Sequence, residues 1–158
     1  MRGFYFPFLI SLLASSVFVV FSCSLPRIII TRDPLTPEEH INLGVAYEKK
    51  GELDNALGEY LKASRKLPIA SLYMGNIYFQ KGDMKKAEQS YRKAIRKIPQ
   101  NADAYNNLAW LYYSKKENLE EAEELARKAL SLDPSKSAIY LDTLEKIRAL
   151  KKSQALAK

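Results

Sequence analysis

One cysteine, one histidine and one tryptophan carry most of the chemical range of this chain, and their numbers already restrict what they can do. Cys23 has no second cysteine, which excludes an intramolecular disulfide, and Cys23 with His40 cannot supply the four protein ligands of a zinc site. His40 lies in PEEHINLG, with no nucleophile at a known motif spacing, so its role reads as structural. There is no P-loop, GxGxxG or HExxH, and the carboxylates fall on expected helix starts and solvated faces. The chain therefore reads as a non-enzyme with no cofactor, no metal and no small-molecule substrate. Its formal charge is +7, but the cations alternate with Glu and Asp and form no single basic block, so nucleic acid is not indicated as a partner. What remains is the setting of Cys23 and the recognition chemistry of Trp110 and the side-chain amides.

Cys23 ends an apolar run. Phe4 to Phe21 reads FYFPFLISLLASSVFVVF and has no polar face, and Arg2 is the only charge before Arg27. As a helix those 18 residues span roughly 27 Å, marginal against a hydrocarbon core of about 30 Å. Residues 1–22 therefore read as an export signal or an anchor helix. Val20-Phe21-Ser22-Cys23 resembles the lipobox of bacterial lipoproteins, in which a small residue precedes a cysteine that takes a diacylglyceryl group; Ser22 and Val20 fit, and Phe21 departs from the pattern. The resemblance implies lipidation (palmitate or related acyl chains) at Cys23, with an uncleaved anchor and an ordinary cleaved signal as alternatives. Residues 23–36 are then a tether reaching roughly 45 Å at about 3.3 Å per residue. Ile28, Ile29 and Ile30 within it call for cover by the first repeat, a partner or the lipid interface.

The elements that position the recognition residues announce themselves as a repeat. Gly44 and Gly75, Tyr47 and Tyr78, Ala56 and Ala87, Tyr60 and Tyr91, Ala63 and Ala94, and Pro68 and Pro99 are each 31 apart. A third copy carries Tyr105, Leu108, Ala109, Tyr112, Ala122, Ala129 and Pro134. The pattern resembles the tetratricopeptide repeat, a pair of antiparallel helices per unit of about 34 residues. That resemblance implies an all-α, right-handed superhelical solenoid: repeats over 37–67, 68–101 and 102–136, a capping helix over 137–151 that covers the last apolar face, and a flexible tail over 152–158. Thr36-Pro37-Glu38-Glu39 predicts the start of the first helix by a capping box with proline at the first helical position. Gly51 and Gly82 mark turns inside the units, and Asp54, Asp83 and Asn118 are candidate caps for the second helices.

In such repeats the first helix of each pair lines a concave groove. Carried onto this chain, the resemblance implies groove residues Leu72, Asn76, Phe79 and Gln80, then Asn106, Trp110, Tyr113 and Ser114, with Ile41, Val45, Glu48 and Lys49 from the first unit. Aromatic anchors beside amides suit an extended peptide or a partner helix. Repeats that grip a terminal carboxylate use a Lys, Asn, Asn, Lys, Arg set; only Asn76 and Asn107 match it, and Ile139 and Thr143 stand where the last two cations belong.

These readings converge on a membrane-anchored scaffold that binds an unidentified protein or peptide in the cell envelope, facing the periplasm, with the outer membrane favoured. One alternative is an inner-membrane structural subunit with an uncleaved helix. Another is an accessory subunit of an envelope peptidase, since DPLTPEEH, NNLAW and YLDTL are similar to repeat regions that follow cysteine-peptidase domains.

Overall fold

A computed structural model describes residues 33–157, and within them the chain is helical throughout with no strand. The calls on residues 1–32, including the signal or anchor, Cys23 and the three isoleucines, lie outside the described residues. The helices are α1 (Pro37–Lys49), α2 (Leu53–Ala63), α3 (Ala70–Gln80), α4 (Met84–Lys97), α5 (Ala102–Lys115), α6 (Leu119–Leu132) and α7 (Ser137–Leu156), with a 3₁₀ turn at Pro134–Lys136 before the last. Among the described residues no helix is long and apolar enough to cross a membrane.

The first helix starts where local chemistry directs it. The Thr36 hydroxyl accepts from the Glu39 amide at 3.2 Å and the Glu39 carboxylate accepts from the Thr36 amide at 2.7 Å. The two orphan donors are thereby satisfied, a device typically contributing about 1 kcal/mol. Asp83 caps α4 through the Lys86 amide at 3.1 Å. Two expected caps are not made. Asp54 sits inside the first turn of α2, behind Glu52, and Asn118 takes a left-handed backbone (φ 50°) with no cap bond. The extra residue of the third copy forces this second outcome: Lys116 also turns left-handed (φ 57°), filling the place that Gly51 and Gly82 (both φ 78°) fill in the first two. Both glycines occupy backbone space that side chains rarely enter.

Each pair packs by the same device. The second helix drives a tyrosine ring onto a glycine of the first: Tyr60 over Gly44, Tyr91 over Gly75. In the third copy the corresponding positions are Ala109 and Ala126, both fully buried, so a methyl is tolerated where the facing ring is gone. The second and third pairs are joined by one large apolar cluster running from Leu72 and Tyr91 through Leu108, Leu111 and Tyr112 to Leu144 and Ile147, while the first pair shares a separate cluster with Ile77 of α3. The cap therefore shares the core of the repeats. Tyr140, also buried, donates to Asp103 at 2.8 Å, and Lys136 pairs with the same carboxylate at 2.7 Å, pinning the start of α7 to α5.

α7 runs on through Leu156, so the tail expected over 152–158 is helical for its first five residues. Leu150 and Lys151 stay partly covered, and Lys151 bonds Glu123 of α6 at 2.9 Å, so docking persists to the predicted end; beyond it Gln154 donates to Lys116 O at 3.4 Å. At the opposite end, His40 is buried between two carboxylates, 2.6 Å from Glu59 and 3.2 Å from Asp33. That contact ties the last residues of the tether to the first repeat and accounts for the histidine without chemistry.

Candidate functional site

The first helices α1, α3 and α5 lie side by side and, at their centre, enclose a cavity of about 250 Å³. Its walls are Glu48 of α1, Asn76, Phe79 and Gln80 of α3, Asn107 and Trp110 of α5, and Tyr91 reaching in from α4. Helical spacing makes this possible. Phe79 and Gln80 follow Asn76 by three and four residues, and Trp110 follows Asn107 by three, so each set shares one face of its helix.

The polar groups of the cavity are wired to one another, and the wiring decides what is left to offer. Asn76 Oδ1 accepts from Tyr91 Oη at 3.1 Å and from Asn107 Nδ2 at 2.9 Å. Its own Nδ2 is left as a donor and Asn107 Oδ1 as an acceptor. Gln80 Nε2 donates to Glu48 Oε1 at 2.6 Å, which leaves Gln80 Oε1 as a second acceptor; Tyr60 donates to the other Glu48 oxygen at 2.9 Å. Acceptor, donor and acceptor thus line the cavity across two helices, the pattern that the N–H and C=O groups of an extended chain can answer. Burial, with Glu48 nearby, pushes the Tyr60 and Tyr91 hydroxyls well above the ordinary phenol range, so both are fixed donors and not acids.

Aromatic surface completes the site. Trp110 is half-buried, with its ring centroid 5.0 Å from that of Tyr113, and the Lys146 ammonium of α7 lies 5.2 Å over the indole. The ring is therefore presented by a neighbour and a cation instead of being consumed by helix packing. Glu48 on α1 places negative charge at one end of the groove, while Lys146 at the other end is paired with Asp142 of its own helix at 2.6 Å.

The structure sorts the residues proposed from sequence. It brings together Asn76, Phe79, Gln80, Trp110 and Glu48, with Tyr113 against Trp110. It withdraws Leu72 and Asn106. Leu72 is 7% exposed and belongs to the main apolar cluster, and Asn106 is 8% exposed with its Oδ1 lacking a partner among the described residues. Leu72 packs into the cluster that α3 shares with α4 and with the following repeat, so only part of the nominal groove face reaches solvent. Ser114 is exposed but donates to its own helix at Trp110 O. Asn107, in the sequence a match to part of a carboxylate grip, and Tyr91, a tyrosine of the repeat pattern, also line the cavity. The ring does pack, and its hydroxyl reaches across to the groove. A tyrosine at a position that needs only an apolar ring was the available signal.

A larger concavity, about 610 Å³, opens between the start of α6 and the end of α7, lined by Lys116, Glu120, Lys151 and Gln154 among others. Lys151 there pairs with Glu120 at 3.6 Å and Glu123 at 2.9 Å, so its charge is already answered from within the fold.

Residues 75–116 match the family described as TPR repeat, and residues 102–136 match the one described as Tetratricopeptide repeat. No curated protein matches the chain in sequence. Among solved structures, the chain is similar to the first TPR of Spaghetti (RPAP3) bound to an HSP90 peptide SRMEEVD, at 25% identity over 82% of this chain and 99% of that one, with a TM-score of 0.67. It is also similar in fold to the TPR2B domain of yeast Sti1 in complex with an Hsp70 peptide, at 20% identity over 72% and 96%, TM-score 0.66. A tetratricopeptide repeat protein from Parabacteroides merdae aligns at 22% identity over 77% of this chain and 48% of its own length, TM-score 0.66. Paired helices at this repeat length, the glycine–tyrosine contacts and these matches give one conclusion: residues 75–136 carry tetratricopeptide repeats, and the described residues have the fold of a TPR solenoid.

Proposed function

We propose that the chain is a non-catalytic scaffold that holds a segment of a partner protein in the groove formed by α1, α3 and α5. The observation that carries this reading is the Asn76–Asn107 pair, whose mutual bond leaves one donor and one acceptor facing the cavity beside Phe79 and Trp110. An extended segment would satisfy those amides with its backbone and place an apolar side chain between the two rings. The peptide of the RPAP3 complex ends in an acidic stretch; here Leu72 is buried and Glu48 lines the groove, so a different sequence suits this site. A segment with a cation toward Glu48 matches the charge at that end.

The apolar run before Cys23 supports attachment to a membrane. In this reading Cys23 is lipidated and the repeats work at the periplasmic face of the envelope, within tether reach of the bilayer. Crosslinking from membranes followed by capture of the full chain identifies the partner. Trp110→Ala and the pair Asn76→Ala/Asn107→Ala should each reduce capture at least tenfold while leaving the helical spectrum intact. Undiminished capture by both would refute the groove, and an intact mass equal to the unmodified chain would refute lipidation.

A further inference from the structure

The second repeat follows the first over the connection 64–69, and a cavity of about 250 Å³ opens at that junction, sharing no residue with the groove. Arg65 and Lys66 enter it from the end of α2, and Lys93 and Lys97, one turn apart, from α4. Ser64 and Ser71 complete the polar lining. None of the four cations has an ion-pair partner among the described residues, and residues 1–32 contain no Asp or Glu that could supply one. This sets the junction apart, because most other cations on these helices are answered: Lys62 by Glu59, Lys81 by Asp54, Lys86 by Asp83 and Arg92 by Glu88 and Glu121. Ser71 is 2% exposed and lines the cavity, with no side-chain partner among the described residues.

Four converging cations with a buried hydroxyl call for an anion carrying several acceptor oxygens, and phosphate answers both the ammonium groups and the guanidinium fork. Lys85 and Arg96, exposed on the same side of α4 and also without ion pairs, continue the basic surface beyond the cavity. A surface of that extent suits a plane of many phosphates better than one soluble ion. We propose that this junction docks on anionic phospholipid headgroups, turning the outer helices α2 and α4 toward the bilayer and leaving the groove open to a partner. The orientation, though not the binding itself, rests on the membrane attachment proposed above.

Residues 33–158 form a compact unit that holds all three apolar clusters and opens on its own capping box, so they can be tested without the apolar segment. Sedimentation with vesicles of phosphatidylcholine, with and without phosphatidylglycerol, is the direct assay. Binding is expected only with phosphatidylglycerol, and release as salt rises from about 0.1 M to about 1 M and the Debye length shrinks from about 10 Å to about 3 Å. Lys93→Gln/Lys97→Gln should weaken partitioning about thirtyfold, from about fivefold per cation near an anionic surface. The control Lys49→Gln/Lys50→Gln removes the same charge on the groove-lining helix α1 and should weaken it far less. Circular dichroism establishes that each variant is folded. Equal binding to both vesicles, or equal losses in the two double variants, would overturn the proposal. So would thermal protection by inorganic phosphate without vesicle binding, which would assign the cavity to a soluble ion. An unlipidated Cys23 would remove the anchor and leave the vesicle result standing, so the two failures are distinguishable.

Discussion

Replacing Gly75 by alanine tests the link between the packing device and the groove. A methyl placed on Gly75 would lie 2.5 Å from both Cδ1 and Cε1 of Tyr91 and 3.2 Å from its Cγ. Tyr91 is 2% exposed and cannot swing into solvent, so the ring or the helix must move. Overpacking of this kind costs about 1–3 kcal/mol, and displacing the ring also strains the Tyr91–Asn76 hydrogen bond, about 1 kcal/mol. Against this, alanine is favoured over glycine in a helix by about 1 kcal/mol. The net expectation is a loss of about 1–3 kcal/mol, or roughly 4–12 °C in Tm at about 4 °C per kcal/mol for a domain of this size. Gly58→Ala is the matched control. Gly58 lies inside α2 with nothing within 4 Å of an added methyl, so the same chemical change should raise Tm by about 4 °C. Thermal unfolding of both variants by circular dichroism gives the comparison. In a Tyr91→Ala background Gly75→Ala should become neutral or stabilising, as the alanine pair of the third repeat implies. If both glycine variants stabilise the wild-type background equally, the ring does not occupy the space assigned to it. Because Tyr91 also bonds Asn76, Gly75→Ala should weaken partner capture at temperatures where it is still folded, whereas Gly58→Ala should not.

Other expectations are as concrete. Tyr140→Phe deletes the bond to Asp103 and should cost about 1 kcal/mol in urea unfolding, with little change in partner capture. Glu123 is held down to about 2 by hydrogen bonds from Lys151, Arg127 and Arg148; its folded value lies below the ordinary 4.5, so its stabilisation is complete above that pH and is lost as pH falls toward 2. Tm should therefore fall more steeply between pH 4.5 and 2 in the wild type than in Glu123→Gln. Gly82→Ala meets no atom but requires φ of 78°, so a loss of about 1–2 kcal/mol in urea unfolding should appear without any change in the vesicle assay.

Periodicity located the repeat units, and the resemblance their residues carry implied the helix pairs in which the recurring small and large residues meet. The start of α1 was equally legible, because a capping box is a local device complete within Thr36 to Glu39. Such features depend on near neighbours in the chain, and the chain carries that information explicitly. The site was legible only in part. Asn76, Phe79, Gln80 and Trp110 followed from their places on the first helices, but the burial of Leu72 and Asn106 depends on how the helices stack, Leu72 entering the cluster shared with α4 and the following repeat. The amide wiring, the Tyr91 hydroxyl in the groove and Lys146 over Trp110 join residues from different repeats, so they exist only once the stack has set its angles. The basic junction is the sharpest case. Along the chain Arg65 and Lys66 lie in one short carboxylate-free stretch and Lys93 and Lys97 in another, with no spacing that joins them; only the packing of α4 against the junction brings the four to one cavity, because charge accumulates through space and not along the sequence.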